Sequence, residues 1–496
     1  MAGQLLSYLA ALLTVAGFMA SGHLLIRVLR INVGLGVLGG GAVRCLVGAS
    51  SLSMVVFLVS LTLPARGLNA GWSLAMLSLP VATVDIAWSA YRGAAWSAFR
   101  RMSIRSLATL FAAVLAVEAA LLSGMAIASG LGWDGLAVWA IKARMIFVSG
   151  GVRSGLLTDP SLIWTHPTYP LLLPIDEALL YRTIGAVDER AVKVLFAVFA
   201  VCLLAVFYSL LRRQFDRGWA CLYSLILIGL PGVFTNVITG SADGPLATFL
   251  LAGGGLLFFW FQRGNRSDLV LAGLLLASAA WLKQEGWLIW GVGFLMVAGR
   301  HVSQKKGWRV DWRAIATFAA PILLVVPWYI RIHELSVSEP DFAPLASGWL
   351  LGHLDRVPFL IGALIGQLFR GPSDALWLML AVGLVIGHRS RGAFFLGAAV
   401  AVHLFAITAA YVFSTWVPYQ DHVYFSMDRV ILQVVPLAAL LLAVTVREPH
   451  LKQVADWLAS IRGRGRLHAD FGFGRVVQPR LRGSDAAPGL GGFGIE

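Results

Sequence analysis

Asp134 stands in the run GWDGLAVWAIKARMIF, with Trp133 just before it and Trp139 and Lys142 following. A carboxylate there can accept a proton from an incoming hydroxyl, provided partial burial keeps its pKa useful. Asp is also favoured as a helix N-cap, so position alone leaves both roles open. Lys142 shares a helical face with Val138 and Trp139. From that face it can meet a phosphate at headgroup depth or snorkel toward lipid, and snorkelling is the better reading for Arg144. His166 and Tyr169 lie between prolines in THPTYPLLLP, where loop structure is the default. Asp243 in TGSADGPLATF heads an apolar run, so capping by Ser241 or Asp243 competes with a functional role. Lys283 and Glu285 in WLKQEGW are opposite charges between closely spaced apolar runs. They are costly there unless paired or wet, and a salt bridge is the simplest reading. Arg429, after Asp428 in YFSMDRVILQVVP, can hold a phosphate in its bidentate fork or act as an interfacial anchor.

The elements that must position these residues are set by lipid. Of the 496 residues, 58% are hydrophobic and only 13% charged, against about a quarter charged in soluble domains. Apolar runs near the ~20 residues of a membrane helix recur along the chain, too many for one signal peptide. They predict an all-α polytopic membrane protein with about thirteen transmembrane helices, short ones over 268–283 and 286–299 among them. The net charge of +14 does not indicate nucleic-acid binding, because the arginines cluster in short turns between apolar runs. Arg27 with Arg30, Arg212 with Arg213 and Arg217, and Arg263 with Arg266 mark cytoplasmic turns under the positive-inside bias. An odd number of spans then places the N-terminus outside and the arginine-rich tail inside. The stretch 331–372 must start and finish outside, as interfacial or re-entrant helices.

Under this topology the polar residues named above collect in external segments 131–190, 236–245, 282–286 and 414–429. The first is the large external loop, with two amphipathic juxtamembrane stretches, LAVWAIKARMIF and YPLLLPIDEALLYRTIG, suited to lying in the interface. Cys45, Cys202 and Cys221 have neither paired nor metal-like spacing. No Walker loop, dinucleotide fingerprint, HExxH or GxSxG with a suitable base is present, so ATP-driven transport and soluble-type hydrolysis have no support.

Taken in order, WDGLAVWAIKARMIF, HPTYPLLLP, ADGPLA, LKQEG and SMDRVILQVVP resemble the glycosyltransferase-C superfamily. The closest likeness is to its family 39-like, protein-mannosyltransferase-related membrane enzymes. The resemblance implies inverting transfer of a sugar from a polyprenyl-phosphate donor to a glycan, lipid or protein acceptor, on the extracytoplasmic face of the inner membrane. Asp134 matches the family's acidic residue in the first large external loop and so is expected to be the general base. Lys283, Arg429, Lys142 and His166 are then expected at the donor phosphate, and Trp133, Trp139, Tyr169, Asp243 and Glu285 around the substrate. No cofactor is implied, and with no second acidic cluster in view an obligatory metal is not expected. The likeness spans residues 105–446 and leaves 1–104 as additional N-terminal helices. Residues 447–496 read as a cytoplasmic amphipathic helix and a disordered tail. No large soluble domain follows the core, which tells against a protein acceptor. A polytopic transporter or lipid-linked-glycan flippase, with the same charges along a translocation path, is the rival reading.

Overall fold

The computed structural model describes residues 2–92, 107–153, 155–300, 311–337, 339, 341–371, 373–386 and 390–446. The expected cytoplasmic helix and tail over 447–496 lie outside them. Among the described residues the fold is all-α, with one isolated bridge between Phe342 and Ser414.

Four long N-terminal helices come first: α1 (Ala2–Val28), α2 (Gly36–Thr62), α3 (Gly67–Arg92) and α4 (Leu107–Ala128). A π-helical turn over Gly135–Ala140 then runs into α5 (Ile141–Ser149), followed by α6 (Gly155–Thr158) and α7 (Leu172–Ile184). The central helices are α8 (Glu189–Leu211), α9 (Arg217–Ile228), α10 (Pro231–Thr239), α11 (Asp243–Arg263), α12 (Arg266–Leu282) and α13 (Gly286–Gly299). The C-terminal part holds α14 (Trp312–Ala319), α15 (Val326–Glu334), α16 (Ser347–Gly352), α17 (Val357–Arg370) and α18 (Asp374–Ile386). It ends with α19 (Arg391–Ala410), α20 (Tyr419–Leu432) and α21 (Val435–Thr445).

Seven described helices are long and apolar enough to cross a membrane, and the number rises to eleven if each of four bent pairs is one span. The expectation of about thirteen is therefore not met by this measure. Two of the expected spans are α12, with 17 residues, and α13, with 14. Both fall short of the ~20 residues a full crossing needs. The bends have a local cause: α10 and α21 each begin with a proline in their first turn, which removes a backbone donor and stops the preceding helix. In the awkward stretch, α17 and α18 meet at 94°. Ile361, Ile365 and Phe369 form an exposed apolar stripe along α17, a pattern suited to lying in an interface.

Packing is driven by close helix approach and buried polar pairs. A Cβ on Gly22 or Gly48 would run into the backbone of the facing helix, so α1 and α2 cross with their main chains nearly touching. Trp281 Nε1 donates to Ser53 Oγ at 2.9 Å, tying α12 to α2.

The two stretches expected to lie in the interface fare differently. The π turn and α5 are one-sided, burying Trp139, Lys142, Ala143 and Ile146 while exposing Leu136, Arg144 and Val148. Helix α7 is not: Leu172 to Tyr181 are all buried, because α1, α2 and α3 cover it. The N-terminal helices thus have a structural task, sheathing the segment that follows the Asp134 loop. Asp176 and Glu177 are fully buried on α7 without hydrogen-bond partners, and burial pushes both carboxyls well above the usual range.

Helix polarity sorts the charges. At one end of the bundle Arg213, closing α8, forks onto Asp268 of α12 at 3.0 and 3.1 Å. Arg263, closing α11, reaches the Arg213 carbonyl at 3.0 Å. Asp243 opens α11 and Lys283 caps α12 at the opposite end.

Candidate active site

The Asp134 loop is held against the α10–α11 turn by its backbone. Gly132 N donates to Thr239 O at 2.7 Å. A Cβ on Gly135 would come within 2.8 Å of the Gly240 carbonyl and 3.0 Å of the Thr239 carbonyl, so only glycine allows the π turn to start here. Asp134 makes no side-chain capping bond. Its carboxylate instead accepts from Arg429 Nη1 of α20.

Arg429 leads to a buried ion network. Its Nε lies 3.1 Å from Asp243 Oδ2, and Lys283 Nζ sits 2.8 Å from Asp243 Oδ1 and 2.9 Å from Glu285 Oε1. Gln433, one helical turn after Arg429, donates through Nε2 to Asp243 Oδ1 at 2.6 Å and, at 3.4 Å, to Glu285 Oε1. The salt bridge expected of Lys283 and Glu285 is present, extended by Asp243 and Gln433. Capping does not explain Asp243, whose N-cap neighbour Ala242 makes no side-chain bond, while Ser241 Oγ bonds to Asn236 Oδ1 at 2.6 Å. Two cations, Arg429 and Lys283, face three carboxylates, Asp134, Asp243 and Glu285. Each charge has an opposite neighbour, the condition under which buried ions are tolerated.

Asp134 and Arg429 also line a cavity of about 290 Å³. Its polar lining includes the neutral side chains of Thr235, Asn236, Ser241, Gln367 and Ser373, with Asp428 alongside. Its apolar lining includes Trp377, Leu432 and Val435, and Trp133 stands at its margin, 69% exposed and 6.0 Å from the Trp164 ring. A carboxylate, a guanidinium, neutral hydrogen-bonding groups and an apolar wall thus share one space.

A second cluster adjoins the network. Tyr169 stacks between His166, at 4.8 Å, and Trp139, at 5.7 Å, and Lys283 Nζ lies 5.9 Å from its ring centre. His166 pairs through Nδ1 with Glu339 Oε1 at 2.6 Å and through Nε2 with Asp341 Oδ2 at 3.6 Å. Thr168 Oγ1 donates to the other Glu339 oxygen. Among the described residues these three form the one His and carboxylate group whose candidate ligand atoms lie within 4.8 Å of one another. One imidazole nitrogen is within hydrogen-bond reach of Glu339 and the other is at ion-pair distance from Asp341. Lys142 is fully buried beneath the stack and donates to the His166 carbonyl at 2.6 Å. Burial lowers its pKa to about 7, opposed by the nearby Glu339 carboxylate, and burial raises the Tyr169 phenol well above its usual range.

The structure therefore brings Asp134, Arg429, Asp243, Lys283 and Glu285 into one network, and Lys142, Trp139, Tyr169 and His166 into a neighbouring stack. Lys142 does not snorkel, because α5 turns that face inward. Of the residues expected at the donor phosphate, around the substrate or as the base, only Trp133, Asp134 and Arg429 line the cavity. Lys142, His166 and Lys283, the other residues expected at the donor phosphate, stand outside its lining. Gln433 was missed, although a glutamine in the apolar run RVILQVVPL one turn after Arg429 is a readable signal. Glu339 and Asp341 were missed because 331–372 was read only for its path, and with them an acidic cluster went unseen. No family model, curated protein or solved structure matches the chain.

Proposed function

We propose that this protein is an integral-membrane glycosyltransferase that moves a sugar from a polyprenyl-phosphate donor to an acceptor hydroxyl at the extracytoplasmic face. The observation that carries the reading is the side-by-side placement of Asp134 and Arg429 in one cavity with neutral polar groups and an apolar wall. Inverting transfer needs a base on the incoming hydroxyl, a cation on the departing phosphate, and hydrogen bonds to a sugar between them.

In the proposed reaction the acceptor oxygen attacks the anomeric carbon and loses its proton to Asp134. The bond from that carbon to the phosphate oxygen breaks, and the electron pair leaves on the polyprenyl phosphate. Arg429 holds the phosphate, and Lys283 keeps Arg429 and Asp243 in register rather than touching the substrate. Asn236, Ser241 and Thr235 offer neutral partners to sugar hydroxyls, which suits an uncharged sugar. Trp377, Leu432 and Val435 suit the prenyl chain. The His166 triad and the Tyr169 stack brace the loop behind the network.

The test is conversion in membranes from cells lacking the protein, which retain both donor and acceptor. Purified wild-type protein added back should consume one polyprenyl-phosphate sugar and release free polyprenyl phosphate. Asp134→Asn should fold and insert but convert nothing. Conversion by Asp134→Asn at the wild-type rate would overturn the assignment of the base.

A further inference from the structure

We infer that Arg429 is a latch that keeps Asp134 neutralised until the donor phosphate takes its place, so that the base is released only when the donor is bound. The inference rests on the glycosyl-transfer reading and adds an order of events to it.

The two limbs of the Arg429 contact differ in kind. Asp243 is 2% exposed and is fixed by Lys283 and Gln433 as well, so the Nε limb is anchored. Asp134 is 38% exposed, faces the cavity, and has Arg429 as its one ion-pair partner among the described residues, so the Nη1 limb is the one that can open. The guanidinium is also not at rest against its anchor. Nε lies 3.1 Å from Asp243 Oδ2, yet its N–H is not aligned for a hydrogen bond and stays buried without a partner. An arginine drawn between two carboxylates shows this geometry, and release of the outer one lets the donor group turn fully onto the inner one.

Charge balance points the same way. Two cations already face three carboxylates, and Asp428 lines the same cavity, so a further anion settles on Arg429 at least cost when one of its carboxylates leaves. Of the three, Asp134 is the most exposed, at 38% against 20% for Glu285 and 2% for Asp243, and it is the one that lines the cavity. A carboxylate oxygen held by a guanidinium is occupied by that donor, and one displaced from it is free to accept from a hydroxyl. The arrangement therefore couples donor binding to activation of the base, and in the donor-free state it withholds the base from an acceptor hydroxyl or water. It also lowers apparent phosphate affinity, because only the open fraction can bind.

The experiment measures binding of sugar-free polyprenyl monophosphate to the full-length protein in zwitterionic nanodiscs, for wild type, Asp134→Asn and Arg429→Ala. The latch predicts that Asp134→Asn binds about tenfold tighter or more than wild type, since close ion pairs couple by about 1.5 kcal/mol upward. Arg429→Ala should lose binding. If wild type binds and Asp134→Asn binds equally or more weakly, the latch is wrong while the phosphate site stands. If neither wild type nor Asp134→Asn binds, the glycosyl-transfer reading falls and the latch with it. Undiminished binding by Arg429→Ala overturns the role of Arg429 in both. Should Asp134→Asn fail to fold, Asp134→Ser removes the same charge and carries the same expectation.

Discussion

Asp243 is the residue on which the network depends most, because it alone contacts both cations and Gln433. Removing one partner of a buried ion cluster costs about 3–5 kcal/mol, as the remaining charges lose their compensation. Asp243→Asn should therefore lower thermal stability clearly, whereas Glu285→Gln, at the wetter side, should lower it less. Melting curves of the purified variants check this, and equal melting of Asp243→Asn and wild type would count against the network as described. Lys142 gives a pH signature of its own. Its folded pKa of about 7 lies below its ordinary 10.5, so between these values folding releases a proton. Its contribution to stability must then rise as pH climbs from about 7 toward 10.5, and flatten below about 7 where both states are charged. Wild type should melt higher at pH 9 than at pH 7, with that gain reduced in Lys142→Met. At this scale the sequence was most readable where a charge interrupts an apolar run, as at Asp243, Lys283 and Arg429. It was least readable for partners supplied by distant loops: nothing local in SEPDF says that Glu339 will meet His166.

At the scale of elements, the site depends on the contact between the Asp134 loop and the α10–α11 turn. Gly135→Val would place a side chain against the Thr239 and Gly240 carbonyls and push the π turn outward, carrying Asp134 away from Arg429. The expected outcome is a loss of turnover much larger than the loss of thermal stability, read by assaying both on one preparation. Helix existence and the clustering of arginines at one end of the bundle followed from hydropathy and charge alone. Span number is not confirmed, because α12 and α13 are short for a full crossing and prolines in the first turns of α10 and α21 sit at breaks between bent helices. The burial of α7 was hidden for a related reason. Its alternating apolar and charged residues look interfacial, and only the packing of α1, α2 and α3 over it shows otherwise.

Across the whole molecule, the proposed reaction requires the Asp134 end of the bundle outside the cell and the Arg213 end inside. Among the described residues the native cysteines are all buried, so introduced ones can be labelled over a low background. Val417→Cys, at 98% exposure near the site end, should react with a membrane-impermeant reagent in intact cells. Val37→Cys, at 90% exposure near the arginine end, should react only after permeabilisation. The opposite pattern would place the network in the cytoplasm and remove the proposed route to an outer-face acceptor. The central claim, that Asp134 serves sugar transfer from a lipid phosphate, is met most directly by mass spectrometry of the polyprenyl-phosphate sugars in cells carrying wild type, Asp134→Asn or no copy of the protein. The expected result is that one polyprenyl-phosphate sugar accumulates without the protein, accumulates equally with Asp134→Asn, and returns to its low level with wild type. A lipid pool unchanged by loss of the protein would contradict it.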